Sequence, residues 1–383
     1  MNPMTICVVT GTRADYGLLR PVMQALRDDP RFTLQLVATG AHLSPEFGTT
    51  ARAIIDDGFV LDDRIEMLLS SDSPVGITTS LGLATIGMAG SLDRLRPDLL
   101  LVLGDRYEIL AAVQAALVAR IPVAHLSGGD VTEGAIDDAI RHAITKMSHL
   151  HFVTNGPAAS RVTQMGEDPA RVIVAGNPGL DDLIRFEPMP RAELSRALGL
   201  TLRARNLLVT YHPVTLADEP PAAAFGELLA ALDDLGGDVG VVLTLPNADT
   251  SGRALIDMSR EFAAHRDHVV CHDSLGQLRY WSVLRIADAV VGNSSSGLTE
   301  APAVGVATIN IGERQRGRLR AASTIDCPPE RAAIRAAIEG ALASREVEVS
   351  SPYGDGHATD RIVEALAAID DASALLTKRF HTP

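Results

Sequence analysis

The chain has 383 residues, of which 46% are hydrophobic and 4% are aromatic, and its formal net charge is −14. This length exceeds one comfortable hydrophobic core and suits two α/β domains of ordinary size. The acidic balance and the scarcity of aromatic side chains argue against a nucleic-acid partner, because such proteins present basic and aromatic surfaces.

Short aliphatic runs alternate with amphipathic stretches along nearly the whole chain, which predicts parallel sheets with crossover helices. The predicted strands of the first half cover 5–10, 34–39, 98–104, 122–126, 150–153 and 172–176, and those of the second half cover 206–212, 239–245, 268–272, 287–293 and 306–312. Between the two sets, the Gly- and Pro-containing stretch 176–200 places a boundary near 178–190. We therefore predict an α/β protein of two Rossmann-like domains, 1–180 and 181–356. A C-terminal helix in 357–383 could pack back on the first domain.

Polar residues are concentrated in the loops that follow the predicted strands, and open parallel sheets bind ligands at this edge. Both sheets are expected to direct these residues toward one central cleft. The candidate site residues from these loops are Arg13, Asp105, Arg106, Asp130, Glu133, His212, Asn247, Ser274, Ser294, Ser295 and Arg314.

The serine-rich loop 293–297 opens a predicted helix. Free backbone N–H groups and the helix dipole at such a position suit a diphosphate, although an ordinary serine cap has the same pattern. Arg13, Arg106 and Arg314 strengthen the phosphate interpretation, because fixed guanidinium groups can clamp a diphosphate. Each arginine alone would also be compatible with a surface salt bridge.

The segment 135–148 predicts a helix whose buried apolar stripe consists of Ile136, Ile140, Ala143, Ile144 and Met147. Asp137, Asp138, Arg141, His142 and Thr145 then share another face. Helix-dipole effects and i,i+4 pairing explain part of this pattern. Proton transfer at carbon also requires a surplus of carboxylates. Asp130, Glu133, Asp137 and Asp138 are therefore candidate catalytic groups.

Absent motifs and the cysteine pattern exclude several classes of function. The chain has neither GxGxxG nor GxxxxGK[ST], so the sequence favours neither a nicotinamide dehydrogenase nor a P-loop kinase. His212 ends a predicted strand, where its ring could enter the cleft or serve a structural hydrogen bond. Three cysteines without a CxxC spacing predict neither disulfides nor a zinc site. With no apparent signal peptide or membrane-spanning run, we expect a cytoplasmic protein without a membrane partner.

A series of motifs resembles that of hydrolysing UDP-N-acetylglucosamine 2-epimerases. The motifs are GTRADYG (11–17), GDRYE (104–108), GAIDDAIRHAITKMSH (134–149), YHPVT (211–215), PNAD (246–249), GNSSSGLTEA (292–301) and INIGERQ (309–315). They occur in order between about residues 5 and 320. The resemblance implies a glycosyltransferase-B type fold, a UDP-sugar substrate lying between the domains, and neither a nicotinamide nor a metal cofactor. It also implies a homodimer or homotetramer, the common states in that family.

The resemblance assigns roles to individual residues. Arg13 and Arg106 would approach the diphosphate or uridine from the first domain. UDP would be held from the second domain by His212, Asn247, Ser294, Ser295, Glu300 and Arg314, with Glu300 accepting ribose hydroxyls. Asp105, Asp137, Asp138 and Arg141 match positions credited with sugar contacts and catalysis. The implied reaction is anti elimination of UDP to a glycal, followed by hydration.

The segment HLSGGD (125–130) departs from a pattern like HIEGG, in which several family members carry a catalytic Glu two residues after the His. This chain has Ser127 there, and a hydroxyl cannot replace a carboxylate as a base near neutral pH. Either Asp130 or Glu133 supplies the function, or the substrate differs, as in relatives of legionaminic-acid-type pathways that act on UDP-2,4-diacetamido-trideoxyhexoses or on a GDP-linked sugar. The rival functions are a non-hydrolysing 2-epimerase, a glycosyltransferase of the same fold and a non-catalytic sugar-nucleotide sensor.

Overall fold

The computed structural model describes residues 3–45, 49–71, 73–131, 136–213, 221–245, 252–343 and 348–382. The chain forms two compact units. The first comprises Met1–Asp182 and Tyr353–Pro383, and the second comprises Leu183–Pro352.

The first unit contains a seven-stranded parallel sheet in the order β3-β2-β1-β4-β5-β6-β7. Its strands are β1 (Met4–Thr10), β2 (Phe32–Thr39), β3 (Asp63–Ile65), β4 (Leu99–Leu103), β5 (Val123–Leu126), β6 (Leu150–Val153) and β7 (Val172–Val174). Its helices are α1 (Arg13–Asp28), α2 (Ala51–Asp56), α3 (Pro74–Leu95), α4 (Tyr107–Ala119), α5 (Ile136–Met147) and α6 (Gly156–Gln164). The sheet is buried on both faces, which explains why its strands read as continuous aliphatic runs.

The second unit contains a six-stranded parallel sheet in the order β10-β9-β8-β11-β12-β13. The helix α7 (Gly179–Arg185) contains the boundary between the units and is followed by α8 (Arg191–Leu198). The strands are β8 (Arg205–Thr210), β9 (Val239–Thr244), β10 (Val269–His272), β11 (Ala289–Gly292), β12 (Ala307–Ile311) and β13 (Thr324–Cys327). The remaining helices of this unit are α9 (Pro221–Asp233), α10 (Gly252–Ala264), α11 (Gly276–Ile286), α12 (Ser296–Ala303) and α13 (Arg331–Ala343).

The C-terminal helix α14 (Ala358–Ala367) belongs to the first unit and packs against α1. The buried Asp181 carboxylate accepts hydrogen bonds from the backbone N–H groups of Ala358 (3.1 Å) and Thr359 (2.6 Å). These contacts satisfy two donors at the start of α14, which otherwise lack partners inside the helix. The end of the chain thereby completes the first α/β unit.

Helix α3 is an apolar segment that was not among the predicted elements. Its 22 residues have the length and composition of a membrane span. By these two criteria, the expectation that the chain contains no membrane-spanning run is wrong. Gly76, Ser80, Ala84, Met88, Ser91 and Leu92 are nevertheless buried in the fold. The helix packs closely on α4, and this packing places it in the α/β layer of the first unit.

Candidate functional site

The order of strands in each sheet locates the crevice where open α/β sheets bind ligands. In the first sheet successive strands are added outward on one side of β1 and then, from β4, on its other side, and the same change of side occurs between β8 and β11 in the second sheet. The loops after these four strands carry Arg13, Asp105, His212 and Ser294. Each sheet therefore presents predicted site residues at its own switch point.

Arg141 connects the carboxylates of the first unit. Its guanidinium forms an ion pair with Asp105, donates to the backbone oxygen of Asp130 over 2.8 Å, and lies 3.9 Å from an Asp138 oxygen. The Arg141 side chain is only 9% exposed, whereas Asp105 is 23% and Asp138 31% exposed. His142 Nε2 lies 3.5 Å from the other Asp138 oxygen. A buried cation thus holds accessible carboxylates together, as acid–base chemistry on a bound sugar would require.

The orientation of α5 differs from the predicted one. Ile136 is 73% exposed and Ala143 is exposed, so the expected buried stripe of Ile136, Ile140, Ala143, Ile144 and Met147 is wrong at two positions. Ile144 is buried as predicted, and Arg141 and Thr145 are buried beside it. The physical reason is that Arg141 finds partners in the loops after β4 and β5, and Thr145 finds one in His125 of β5, which outweighs burial of the first isoleucine.

His125 contacts residues next to this cluster. It is fully buried, and burial lowers its pKa to about 3, so the ring is neutral. Its Nε2 lies 2.8 Å from the Gly104 oxygen and its Nδ1 lies 3.2 Å from the Thr145 hydroxyl. A neutral ring can donate through Nε2 and accept at Nδ1, which fixes the residue before Asp105. Ser127 follows with a φ of 62°, a left-handed conformation uncommon for a non-glycine residue.

Thr154 and Asn155 are site candidates that the sequence analysis missed. The Thr154 hydroxyl lies 3.0 and 3.2 Å from the two carboxylate oxygens of Asp130, and Asn155 Nδ2 lies 3.4 Å from one of them. Their position directly after the predicted strand 150–153 was the available signal. Asp130 is therefore oriented by the loop after β6. Asp137 is partly buried in the first turn of α5, near Asp138 in sequence.

The arginines of the first unit have different environments. Arg13 is an exposed first residue of α1. Arg106 precedes α4, its side chain is 46% exposed, and its Nε donates to Glu108 over 2.5 Å. Both follow strands at the switch point of the first sheet.

In the second unit, Asn293 ties three strand-end loops together. It is fully buried, and its side chain accepts from the His212 backbone N–H (2.7 Å) and donates to the His212 oxygen (2.9 Å). The Asn293 backbone oxygen accepts from Arg314 (3.0 Å) and from Gln315 (2.8 Å). Asn293 therefore positions His212 and Arg314 relative to each other. In the loop after β11, only the serines that follow Asn293 were predicted as site residues.

The start of α12 carries Ser294 and Ser295, both partly buried, with Ser295 as the N-cap residue without a side-chain cap bond. The helix continues to Glu300, whose Oε1 accepts from the Trp281 indole N–H over 3.0 Å. Burial raises the pKa of Glu300, and donors from Trp281 and Ser296 oppose the increase. Ser274 is exposed before α11, and its hydroxyl accepts from the Gly276 N–H over 3.3 Å.

Two predicted residues, Glu133 and Asn247, lie outside the described residues. Within the described ranges, no group of three or more His, Cys, Asp or Glu side chains is arranged to hold a metal ion.

Comparison with known proteins identifies the family. The family model for UDP-N-acetylglucosamine 2-epimerase matches residues 24–367. The chain belongs to this family. It is 38% identical to the GDP/UDP-N,N'-diacetylbacillosamine 2-epimerase (hydrolyzing) of Campylobacter jejuni, with 85% of each chain covered. It is 33% identical to the UDP-N,N'-diacetylbacillosamine 2-epimerase (hydrolyzing) of Legionella pneumophila, covering 97% of this chain and 98% of the relative.

The fold is also found in a solved member of this epimerase family. The crystal structure of UDP-GlcNAc 2-epimerase from Neisseria meningitidis bound to UDP-GlcNAc matches with a TM-score of 0.75 and 19% identity, over 95% of this chain and 99% of that one. At this identity the likeness concerns the fold alone. It confirms the predicted class of two α/β units with parallel sheets.

Proposed function

We propose that this epimerase-family protein hydrolyses a UDP-linked 2-acetamido sugar with inversion at C2. The products would be UDP and an N-acetylmannosamine-type sugar, and the preferred substrate would carry a 2,4-diacetamido-trideoxyhexose. The observation that carries the proposal is the cluster around Arg141, which contacts the carboxylates of Asp105 and Asp138 and the backbone oxygen of Asp130. Two relatives whose names specify hydrolysing enzymes for a diacetamido sugar support the choice of reaction and substrate.

The first step would be elimination. A carboxylate removes the C2 proton while the C1–O bond to UDP breaks, which gives UDP and a 2-acetamidoglycal. The C2 proton is too weakly acidic for removal on its own, so charge development at C1 and stabilisation of the departing diphosphate must lower the barrier. Arg13 and Arg106 in the first unit and the α12 start in the second are the proposed donors to the diphosphate.

The second step would be hydration. Water supplies a proton to C2 on the opposite face and a hydroxyl to C1, so that one water is consumed for each UDP released. This step needs a group that protonates carbon and a base for the water, which suits a set of neighbouring carboxylates. Asp105 is the proposed group for one proton transfer, since it pairs with buried Arg141 and remains 23% exposed. Asp130, Glu133, Asp137 and Asp138 are the proposed sources of the other.

In the second unit, His212 and Arg314 would contact the diphosphate and Glu300 the ribose hydroxyls. Asn293 supports this assignment because it forms two hydrogen bonds with His212 and accepts one from Arg314. Ser274, Ser294, Ser295 and Asn247 complete the proposed nucleotide contacts, and Arg141 and His142 the proposed sugar contacts.

The experiment is a UDP-release assay without any sugar acceptor. Purified protein would be incubated with UDP-N,N'-diacetylbacillosamine, with UDP-N-acetylglucosamine and with the GDP-linked diacetamido sugar, and free nucleotide would be measured by anion-exchange chromatography. We expect nucleotide release, fastest from the UDP-linked diacetamido sugar, and none from the Asp105→Asn variant. Conversion to an epimeric UDP-sugar without free UDP would contradict the hydrolytic part. Release that depends on an added acceptor would indicate a transferase.

A further inference from the structure

Glu108 is a buried carboxylate at the switch point of the first sheet, and the site as described gives it no role. It is the second residue of α4 and is 1% exposed. Carboxylates are almost never fully buried unless they are paired. The position of Glu108 in the GDRYE segment places it three residues after Asp105.

Two glycines provide the space for this side chain. A Cβ atom on Gly11 would lie 2.6 Å from Glu108 Cγ and 2.7 Å from its Oε1. A Cβ atom on Gly40, whose φ is +57°, would lie 3.4 Å from the same oxygen. The ends of β1, β2 and β4 therefore form a pocket for the carboxylate, and any side chain at position 11 would displace it.

Glu108 pairs with Arg106. The Arg106 Nε donates to Glu108 Oε1 over 2.5 Å, and the guanidinium carbon lies 5.8 Å from the centre of the Tyr107 ring. Burial disfavours the charged form of Arg106, but the charge of Glu108 raises the pKa of this guanidinium. In the described part of the chain, Glu108 Oε2 has no hydrogen-bond partner. The pair therefore depends on one contact through Nε.

That contact determines which donors of Arg106 remain for a ligand. With Nε used by Glu108, the edge of the guanidinium formed by the two terminal amino groups remains for a ligand, and these groups make no hydrogen bond within the described ranges. The Arg106 side chain is 46% exposed and lies at the ligand-binding edge of the sheet. Two parallel N–H donors match the oxygens of a phosphate group in a bidentate contact.

We infer that Glu108 is a positioning residue that fixes Arg106 through Nε, so that the terminal amino groups of Arg106 bind the diphosphate of the sugar nucleotide. This inference rests on the proposed function for the identity of the anion. Glu108 itself does not contact the ligand. Its effect passes entirely through Arg106, which makes the inference testable by a double-mutant cycle.

The first experiment measures the dissociation constant of UDP by calorimetry for the wild type, Glu108→Gln, Arg106→Gln and the double variant. Glutamine keeps an oxygen for Nε but removes the charge that holds it. We expect about a tenfold weaker affinity for Glu108→Gln, and a double variant no weaker than Arg106→Gln alone. An unchanged affinity for Glu108→Gln, or an equal further loss in the Arg106→Gln background, would overturn the inference.

A second pair of variants displaces the carboxylate without changing its chemistry. Gly11→Ala places a methyl group against Glu108 and is expected to reproduce the loss of UDP affinity. Gly90→Ala, in α3 with nothing within 4 Å of the added carbon, is the matched control and should bind UDP as the wild type does. Melting temperatures of all variants show whether a loss reflects unfolding. A folded Gly11→Ala protein with wild-type affinity would contradict the role of the pocket.

A third measurement separates this inference from the proposed function. In protein labelled with ¹⁵N-arginine, the Arg106 Nε–H signal is identified by its loss in Arg106→Lys. We expect slow exchange with water in the wild type and fast exchange in Glu108→Gln, without any ligand present. A wild type that shows the protected signal but binds no UDP would refute the proposed function and the diphosphate as ligand. A wild type that binds UDP with an unprotected Arg106 would refute the positioning role alone.

Discussion

Replacing Arg141 by methionine removes the cation that holds the carboxylate cluster and keeps much of the side-chain volume. Breaking a buried ion pair by removing one partner costs roughly 3–5 kcal/mol, because the other charge is left without compensation. The partial exposure of Asp105 (23%) and Asp138 (31%) reduces this cost. Loss of the 2.8 Å hydrogen bond to the Asp130 oxygen adds about 1 kcal/mol. We expect Arg141→Met to lower the free energy of unfolding of the first unit by about 2–3 kcal/mol.

For a unit of this size, that change corresponds to a melting temperature lower by about 5–10 °C. Differential scanning calorimetry would measure it, together with UDP release at a temperature where the variant is folded. Turnover is expected to be lost, because Asp105 loses its orientation. Arg52→Met is the matched control, since Arg52 is 87% exposed and 4.0 Å from Asp56, and surface pairs contribute little. An Arg141→Met protein that melts and turns over like the control would refute the reasoning.

Three further predictions concern other parts of the molecule. Asp105→Asn should abolish turnover while the calorimetric affinity for UDP changes less than about twofold, and equal loss of both would contradict its catalytic assignment. Trp281→Phe removes the donor to Glu300 and should weaken UDP binding about fivefold, as one lost hydrogen bond implies; UDP should also alter the emission of this single tryptophan in the wild type, and neither effect would be seen if Glu300 did not bind the nucleotide. Burial raises the pKa of Glu167, but hydrogen bonds, including one from Lys378, lower it to about 2, below the usual 4.5. Its stabilisation should therefore be complete above about pH 4.5 and be lost as the pH falls toward 2, and Glu167→Gln should flatten urea-unfolding free energies across that window.

Much of the fold could be predicted from hydrophobic runs, but two edge strands could not. All eleven predicted strands are present, whereas β3 and β13 were missed. The sequence of β3 is Asp-Arg-Ile and that of β13 is Thr-Ile-Asp-Cys, and neither has an aliphatic run. Each pairs with one neighbouring strand, so their structure comes from the sheet edge and not from local propensity.

The candidate site was predictable where it depends on strand ends and not where it depends on long-range contacts. Strand-end loops indicated Asp105 and His212. Arg141 contacts Asp105 across 36 residues, and Asn293 contacts His212 across 81, and periodicity carries no information on such pairs. For the same reason, helical spacing gave the wrong buried face for α5. Ile136 is exposed there because Arg141 takes the buried position.

The most direct test of the account is proton NMR of the reaction with UDP-N,N'-diacetylbacillosamine in heavy water. Elimination followed by hydration removes the C2 proton and returns a deuteron from solvent to the opposite face. We predict free UDP and a released sugar of the manno configuration that carries one deuterium at C2. A released sugar that keeps its C2 proton and its original configuration would contradict the account, because it would show simple hydrolysis of the C1–O bond.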